Sequence, residues 1–229
     1  LSFGGKDGAA PYMSALLNVT ERAAQEEAFA SGFLRRYAEL KAQYGFDGID
    51  IDVESTLTTP LLSAFRRVFK TLHAQGEIVS LAPETPSLNP AEMDSFFEGS
   101  FNSYAPLVDT SIIDSVSWVA PRLYNDALPQ RSNISKYVTS LHEGRSLEWD
   151  GRQIEIKIPP SKLILGHPAS SEAAPARELD RWQKDPDALV DLYRSSPELL
   201  ATKGVMAWSI GHDYASGWKW VTAAKQIWL

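Results

Sequence analysis

The chain has 229 residues, 44% of them hydrophobic and 22% charged, which is enough to fill one core and is slightly short for a typical α/β barrel. Its 22 Lys and Arg residues against 29 Asp and Glu residues give a formal charge of −7, which excludes a global basic field for nucleic acid. The chain has no cysteine and no apolar run near 18 residues, which excludes disulfides, a thiolate nucleophile and a membrane span.

Short apolar runs alternate with amphipathic segments, a pattern typical of β-α units and a parallel sheet. In chain order, the first half predicts a strand at 1–5, a helix at 20–45, a strand at 46–53, a helix at 60–75, a strand at 77–83, helical turns at 90–109, a strand at 115–124 and a helix at 134–142. The first helix carries an apolar stripe that we expect to be buried, namely Phe29, Phe33, Tyr37, Leu40 and Tyr44.

The second half begins with an Asp150-Gly151 pair between two alternating runs, which predicts a β-hairpin excursion near 146–158. It continues with a strand at 162–166, a helix at 187–202, a strand at 204–208 and a helix at 216–226. Six β-α units result, and we predict one α/β domain over residues 1–229.

Residues 46–54, Phe-Asp-Gly-Ile-Asp-Ile-Asp-Val-Glu, alternate β-branched apolar residues with acids. Successive side chains of a strand point to opposite faces, so Asp50, Asp52 and Glu54 should share one face at intervals of about 6.6 Å. Acids on a covered face are costly, which indicates a functional site, and close carboxylates cannot all ionise. Glu54 is the predicted proton donor because it lies at the carboxyl end of the strand, where α/β barrels place their active sites.

Two alternatives remain for these acids. A calcium loop also spaces its acids at every second position, but it requires a Gly at the sixth position and a distal Glu. A surface strand with solvated acids would show the same alternation.

The segment Asp47-Gly48-x-Asp50-x-Asp52-x-Glu54 resembles the signature of glycoside hydrolase family 18, the chitinases. Four further segments resemble the family's motifs in the family's order: Ser2-Phe-Gly-Gly5 its SxGG strand, Leu81-Ala-Pro-Glu84 its MAPE strand, Leu123-Tyr124-Asn125 its QxYN strand, and Gly204–Ser209 with Asp213 its last strand. Since the SxGG strand is usually the third of the barrel, the resemblance implies an incomplete (β/α)8 TIM barrel that lacks the first two β-α units.

The resemblance also implies an enzyme that hydrolyses β-1,4-linked N-acetylglucosamine in chitin or its oligosaccharides, with retention through the substrate's own acetamide. It implies secretion and no metal or other cofactor, whereas the oligomeric state stays open. The alternatives are an endo-β-N-acetylglucosaminidase acting on N-glycans and a non-catalytic carbohydrate-binding protein of the same fold.

By position in these motifs, Glu54 would protonate the leaving oxygen and then activate water. Asp52 would bind the acetamide N–H, Asp50 would modulate the charge on Asp52, Tyr124 would donate to the acetamide oxygen, and Trp208 would form the floor of the −1 subsite. Arg122 replaces the family's Gln or Met, so it would change the polar contacts to the sugar or pair with the acids. The other candidate substrate-binding residues are Asp47, Gly5, Glu84, Asn125 and Trp149.

Overall fold

A computed structural model describes residues 1–5, 21–54, 57–88, 104–124, 131–174 and 185–229. The chain divides into two units, each built from separate segments. The first unit comprises Leu1–Pro83, Ser103–Val119 and Ser146–Ile156, and the second comprises Glu84–Asn102, Ala120–Arg145 and Lys157–Leu229. The single domain over residues 1–229 stays a prediction.

The first unit contains a parallel four-stranded sheet in the order β1-β2-β3-β4. Its strands are β1 (Ser2–Gly5), β2 (Gly48–Val53), β3 (Ile78–Leu81) and β4 (Trp118–Val119), and its helices are α1 (Arg22–Tyr44) and α2 (Thr59–Ala74). Single 3₁₀ turns occupy Ala105–Leu107 and Ile113–Ser115. The strands and helices predicted between residues 1 and 83 are confirmed, with ends shifted by a few residues. The strand predicted at 115–124 is confirmed only at Trp118–Val119, and the turns predicted at 90–109 lie partly outside the described residues.

The predicted hairpin is also confirmed, as β5 (Arg145–Trp149) and β6 (Arg152–Ile156). Its two turn residues, Asp150 and Gly151, have φ angles of 54° and 70°. Two consecutive positive φ angles define the type I′ turn whose twist matches that of the paired strands, which is why Asp-Gly predicted it.

Helix α2 packs as its periodicity predicts, since its apolar positions Leu61, Phe65, Val68 and Leu72 are all buried. The stripe on α1 is only partly buried. Tyr37 is buried, but Tyr44 is 60% exposed, so its predicted burial is wrong. Tyr44 is the last residue of α1, and the left-handed Gly45 ends the helix directly after it, so its ring lies at the exposed end of the apolar stripe.

The second unit contains the parallel pair β7 (Ile164–Pro168) and β8 (Gly204–Trp208). Parallel bridges join Glu84 to Arg122 and Arg122 to Gly166. The helices are α3 (Arg131–Glu143), α4 (Pro186–Arg194), α5 (Pro197–Leu200), α6 (Ile210–Ala215) and α7 (Lys219–Ala224), and 3₁₀ turns occupy Thr85–Leu88, Pro160–Lys162 and Ser171–Ala173.

Two helices of this unit differ from the predicted ones. The helix expected at 187–202 is interrupted because Pro197 has no N–H to continue it, and α5 starts afresh at this residue. The helix expected at 216–226 is shorter and follows α6, because Gly217 and Trp218 both have left-handed φ angles, 76° and 62°. None of the helices in the described ranges is both long and apolar enough to cross a membrane.

Candidate active site

The acids of β2 lie on the face of the strand that the alternation predicts. Ile49, Ile51 and Val53 are buried on one face, whereas Asp50, Asp52 and the adjoining Glu54 are half-buried. This segment is a regular strand rather than a loop, so the calcium-loop alternative does not hold. Partial burial also argues against a strand whose acids are fully solvated. In the part of the chain that the structure describes, no three His, Asp or Glu side chains are grouped to hold a metal ion.

Glycines allow β2 to lie close to both neighbouring strands. Gly4 of β1 is paired with Asp52 and has a φ of +124°, and an added Cβ would lie 2.1 Å from the Asp52 backbone oxygen. On the other side, a Cβ on Gly48 would lie 2.0 Å from the Ile78 backbone oxygen of β3. No real Cβ approaches an oxygen so closely, so the glycines of both motifs have a packing role next to the acids.

Two serines of the neighbouring strands hold the Asp50 carboxylate. The Ser80 hydroxyl donates to Oδ1 at 2.6 Å, and the Ser2 hydroxyl donates to Oδ2 at 3.2 Å. The register places both directly beside Asp50, on β3 and β1 respectively. Sequence reasoning missed both serines as partners of Asp50, although Ser2 belongs to the SxGG motif and was available as a signal. The carboxylate is thereby fixed on the face that it shares with Asp52.

Asp47 and Glu54 flank β2 at opposite ends. Asp47 is exposed and precedes the amino end of β2, and its backbone carbonyl accepts the Ile78 N–H at 2.9 Å. Glu54 follows the carboxyl end of the same strand, seven residues later, which corresponds to roughly 23 Å of extended chain. The contact of Asp47 with substrate stays a prediction, and the place of Asp47 in the motif marks the start of the strand.

Trp149 on the hairpin packs against two guanidinium groups. Its ring centroid lies 5.5 Å from the Arg66 guanidinium carbon and 4.7 Å from that of Arg152. Cations over an indole ring form attractive contacts and cover the ring. This packing argues against the predicted sugar platform at Trp149.

Four of the described residues predicted for the site belong to the second unit. Arg122 pairs with Glu84, with 3.5 Å between Nη2 and Oε1, so one of its partners is the acid of the MAPE-like segment. Tyr124 is buried, whereas Trp208, the last residue of β8, is 51% exposed. Asn125 lies outside the described residues. That Tyr124 and Trp208 act on the same sugar as Glu54 stays a prediction.

No family model matches the chain. It is 28% identical over 218 residues to a chitinase of Enterococcus faecalis, a match that covers 82% of this chain and 54% of that protein. It is 26% identical over 213 residues to Endochitinase 37 of Trichoderma harzianum, covering 82% of this chain and 58% of that protein. A family 18 chitinase structure from Chromobacterium violaceum matches with a TM-score of 0.67 and 22% identity, covering 98% of this chain and 63% of that one. The chain is similar to chitinases in sequence and in fold.

These similarities bear out the resemblance to chitinases, and the structural match bears out the TIM-barrel type of the α/β fold. The chain spans about half the length of the curated relatives that it matches. Within the described ranges, the hydrogen-bonded strands do not join into a closed ring. Gly5 ends β1 with a φ of +82°, and among the described residues nothing lies within 4 Å of the position of an added Cβ. Its contact with substrate stays a prediction.

Proposed function

We propose that the chain hydrolyses β-1,4-linked N-acetylglucosamine polymers, chitin or chitooligosaccharides, with Glu54 as general acid and base. The observation that carries the proposal is the half-buried face of β2, where Asp50, Asp52 and Glu54 follow one another at alternate positions toward the carboxyl end of a parallel strand. The curated relatives named above are chitinases, which supports the choice of substrate.

The proposed reaction proceeds in two steps with retention of configuration. In the first step, Glu54 gives its proton to the glycosidic oxygen, and the C–O bond breaks as the acetamide oxygen of the same sugar attacks the anomeric carbon. In the second step, the Glu54 carboxylate takes a proton from water, whose oxygen attacks the anomeric carbon and reopens the oxazolinium ring. Glu54 is then protonated again, so the cycle closes without a second enzyme nucleophile.

Asp52 is the proposed partner of the acetamide N–H. An anionic acceptor at this group orients the acetamide for attack and stabilises the positive charge of the oxazolinium ring. Asp50, held by Ser2 and Ser80, keeps a second carboxylate on the same face. Tyr124 and Trp208 enter the proposal through the family resemblance alone.

The test is Glu54→Gln, which keeps the shape of the side chain and removes its acid. We expect cleavage of chitin oligomers to fall by about 10³-fold or more while oligosaccharide binding persists. Glu39→Gln is the matched control, because Glu39 lies on the exposed surface of α1 and should leave the rate unchanged. An undiminished rate in Glu54→Gln would remove Glu54 from the mechanism.

The same assay separates the alternative functions. Release of N-glycans from a glycoprotein without cleavage of chitin would identify an endo-β-N-acetylglucosaminidase. Binding of chitin oligomers without cleavage by the unmodified chain would identify a carbohydrate-binding protein. Early formation of the β-anomer, followed by NMR, would support retention, and the α-anomer would contradict it. Extracellular location stays a prediction.

A further inference from the structure

The hydroxyl of Tyr104 meets the backbone of β2 at the residue that precedes Glu54. Tyr104 is fully buried, and its hydroxyl oxygen accepts the Val53 N–H at 2.6 Å. The same oxygen lies 3.3 Å from the carbonyl oxygens of Ile51 and Val53, to which its single proton can be donated. The Tyr104 hydroxyl thus accepts a hydrogen bond from one backbone group and donates a hydrogen bond to another.

On the side of β2 that faces β3, this contact takes the place of a strand partner at Val53, whose other side is paired with β1. The pairing with β3 reaches its last backbone bond where the Ala82 N–H donates to the Ile51 oxygen at 2.8 Å. Backbone groups of a parallel strand alternate between its two neighbours. The Asp50 N–H donates to the Leu1 oxygen and therefore faces β1. Because Val53 is three residues further along, its N–H and carbonyl face the opposite side, toward β3. There the phenol hydroxyl receives the Val53 N–H.

The segment that carries Tyr104 is itself fixed. The Tyr104 carbonyl accepts the Leu107 N–H at 2.9 Å and so starts a one-turn helix. Arg66 of α2 donates both to the Pro106 carbonyl and to the buried carboxylate of Asp109. The phenol therefore extends from a segment anchored on α2 and does not follow β2 if the end of that strand moves.

We propose that Tyr104 is a positioning residue for Glu54. This inference rests on the proposed function, since it assigns the hydroxyl the task of holding the end of β2 so that the acid stays in reach of the glycosidic oxygen. Because its hydrogen-bonding capacity is used by backbone groups, Tyr104 acts through the main chain and not on the substrate. A shift of about 1 Å in a reacting group can lower a rate by up to about 10²-fold.

The test compares Tyr104→Phe with Tyr137→Phe. Tyr137 is the matched control, because it is also fully buried and its hydroxyl also donates to a backbone carbonyl, that of Leu88, at 2.9 Å. We expect Tyr104→Phe to lower kcat for a chitin oligomer by about 10- to 100-fold with KM unchanged within about twofold. Tyr137→Phe should lose a similar amount of thermal stability and keep kcat. A wild-type kcat in Tyr104→Phe, or equal losses of kcat in both variants, would overturn the proposal.

Amide hydrogen exchange gives a second measurement that does not require activity. In Tyr104→Phe, the amides of Val53 and Glu54 should exchange faster than in the unmodified chain, and in Tyr137→Phe they should not. If the unmodified chain does not cleave chitin oligomers, the proposed function fails, and exchange alone decides the role of Tyr104. Unchanged protection of both amides in Tyr104→Phe would then overturn that role, and lost protection would support it.

Discussion

His167 lies on β7 with 1% of its surface exposed, and its Nε2 atom is 2.7 Å from the Tyr193 hydroxyl of α4. Burial lowers the pKa of His167 from 6.5 to about 3, because the positive charge would be placed in an apolar interior. The folded chain therefore binds fewer protons than the unfolded chain between these two values. We expect this histidine to make the free energy of unfolding fall as the pH drops below 6.5.

The size of this effect follows from proton linkage. Between pH 6.5 and pH 3, one proton of difference changes the free energy of unfolding by about 1.36 kcal/mol per pH unit. From pH 6.5 to about pH 4.5, the loss of stability caused by His167 is therefore about 2–3 kcal/mol, a large part of the stability of an ordinary domain.

Urea unfolding at several pH values, with His167→Gln beside the unmodified chain, measures this effect. Gln stays neutral and can still form a hydrogen bond to Tyr193. From pH 6.5 to pH 4.5, the free energy of unfolding should therefore fall by about 2–3 kcal/mol less in the variant than in the unmodified chain. His73→Gln, at an exposed position of α2, is the control for loss of a histidine as such. Parallel pH profiles for His167→Gln and the unmodified chain would refute the reasoning.

Two further predictions concern packing and charge, and thermal or urea unfolding checks both. Gly48→Ala should destabilise the chain by about 3 kcal/mol, since its Cβ would lie 2.0 Å from a backbone oxygen of β3, whereas Gly32→Ala in open space on α1 should be neutral or stabilising. Arg66→Met should cost about 3–5 kcal/mol because it leaves the buried Asp109 carboxylate without its cation, whereas the exposed Arg36→Met should change stability by about 0.5 kcal/mol or less. An unchanged free energy of unfolding in Gly48→Ala would contradict the close approach of β2 to β3, and an unchanged value in Arg66→Met would contradict the ion pair with Asp109.

The strand with the acids could be predicted because its pattern is local. A period of two in side-chain direction depends only on the backbone of the strand itself, so the alternation across 49–54 is enough to place the acids on one face. The hairpin at Asp150-Gly151 was predictable for the same reason, since these two residue types accept the positive φ angles of its turn. Pro197 breaks a helix that apolar periodicity alone continues to residue 202, and the left-handed Trp218 delays the start of the last helix.

The partners of the site residues could not be predicted in this way, because they come from distant parts of the chain. Asp50 is held by serines 48 and 30 residues away, and the hydroxyl at the end of β2 comes from Tyr104, 51 residues beyond Val53. The ring of Trp149 looks available in the sequence, but folding places two arginines over it. Spacing along the chain does not encode such contacts.

The sequence by itself determined the alternating acids of β2 and the order of the strands along the chain, since both follow from local backbone geometry. Only the tertiary structure decided that Asp47 is exposed and Glu54 half-buried, and that Arg122 pairs with Glu84. The physical reason is that burial and charge pairing depend on which segments fold against each other.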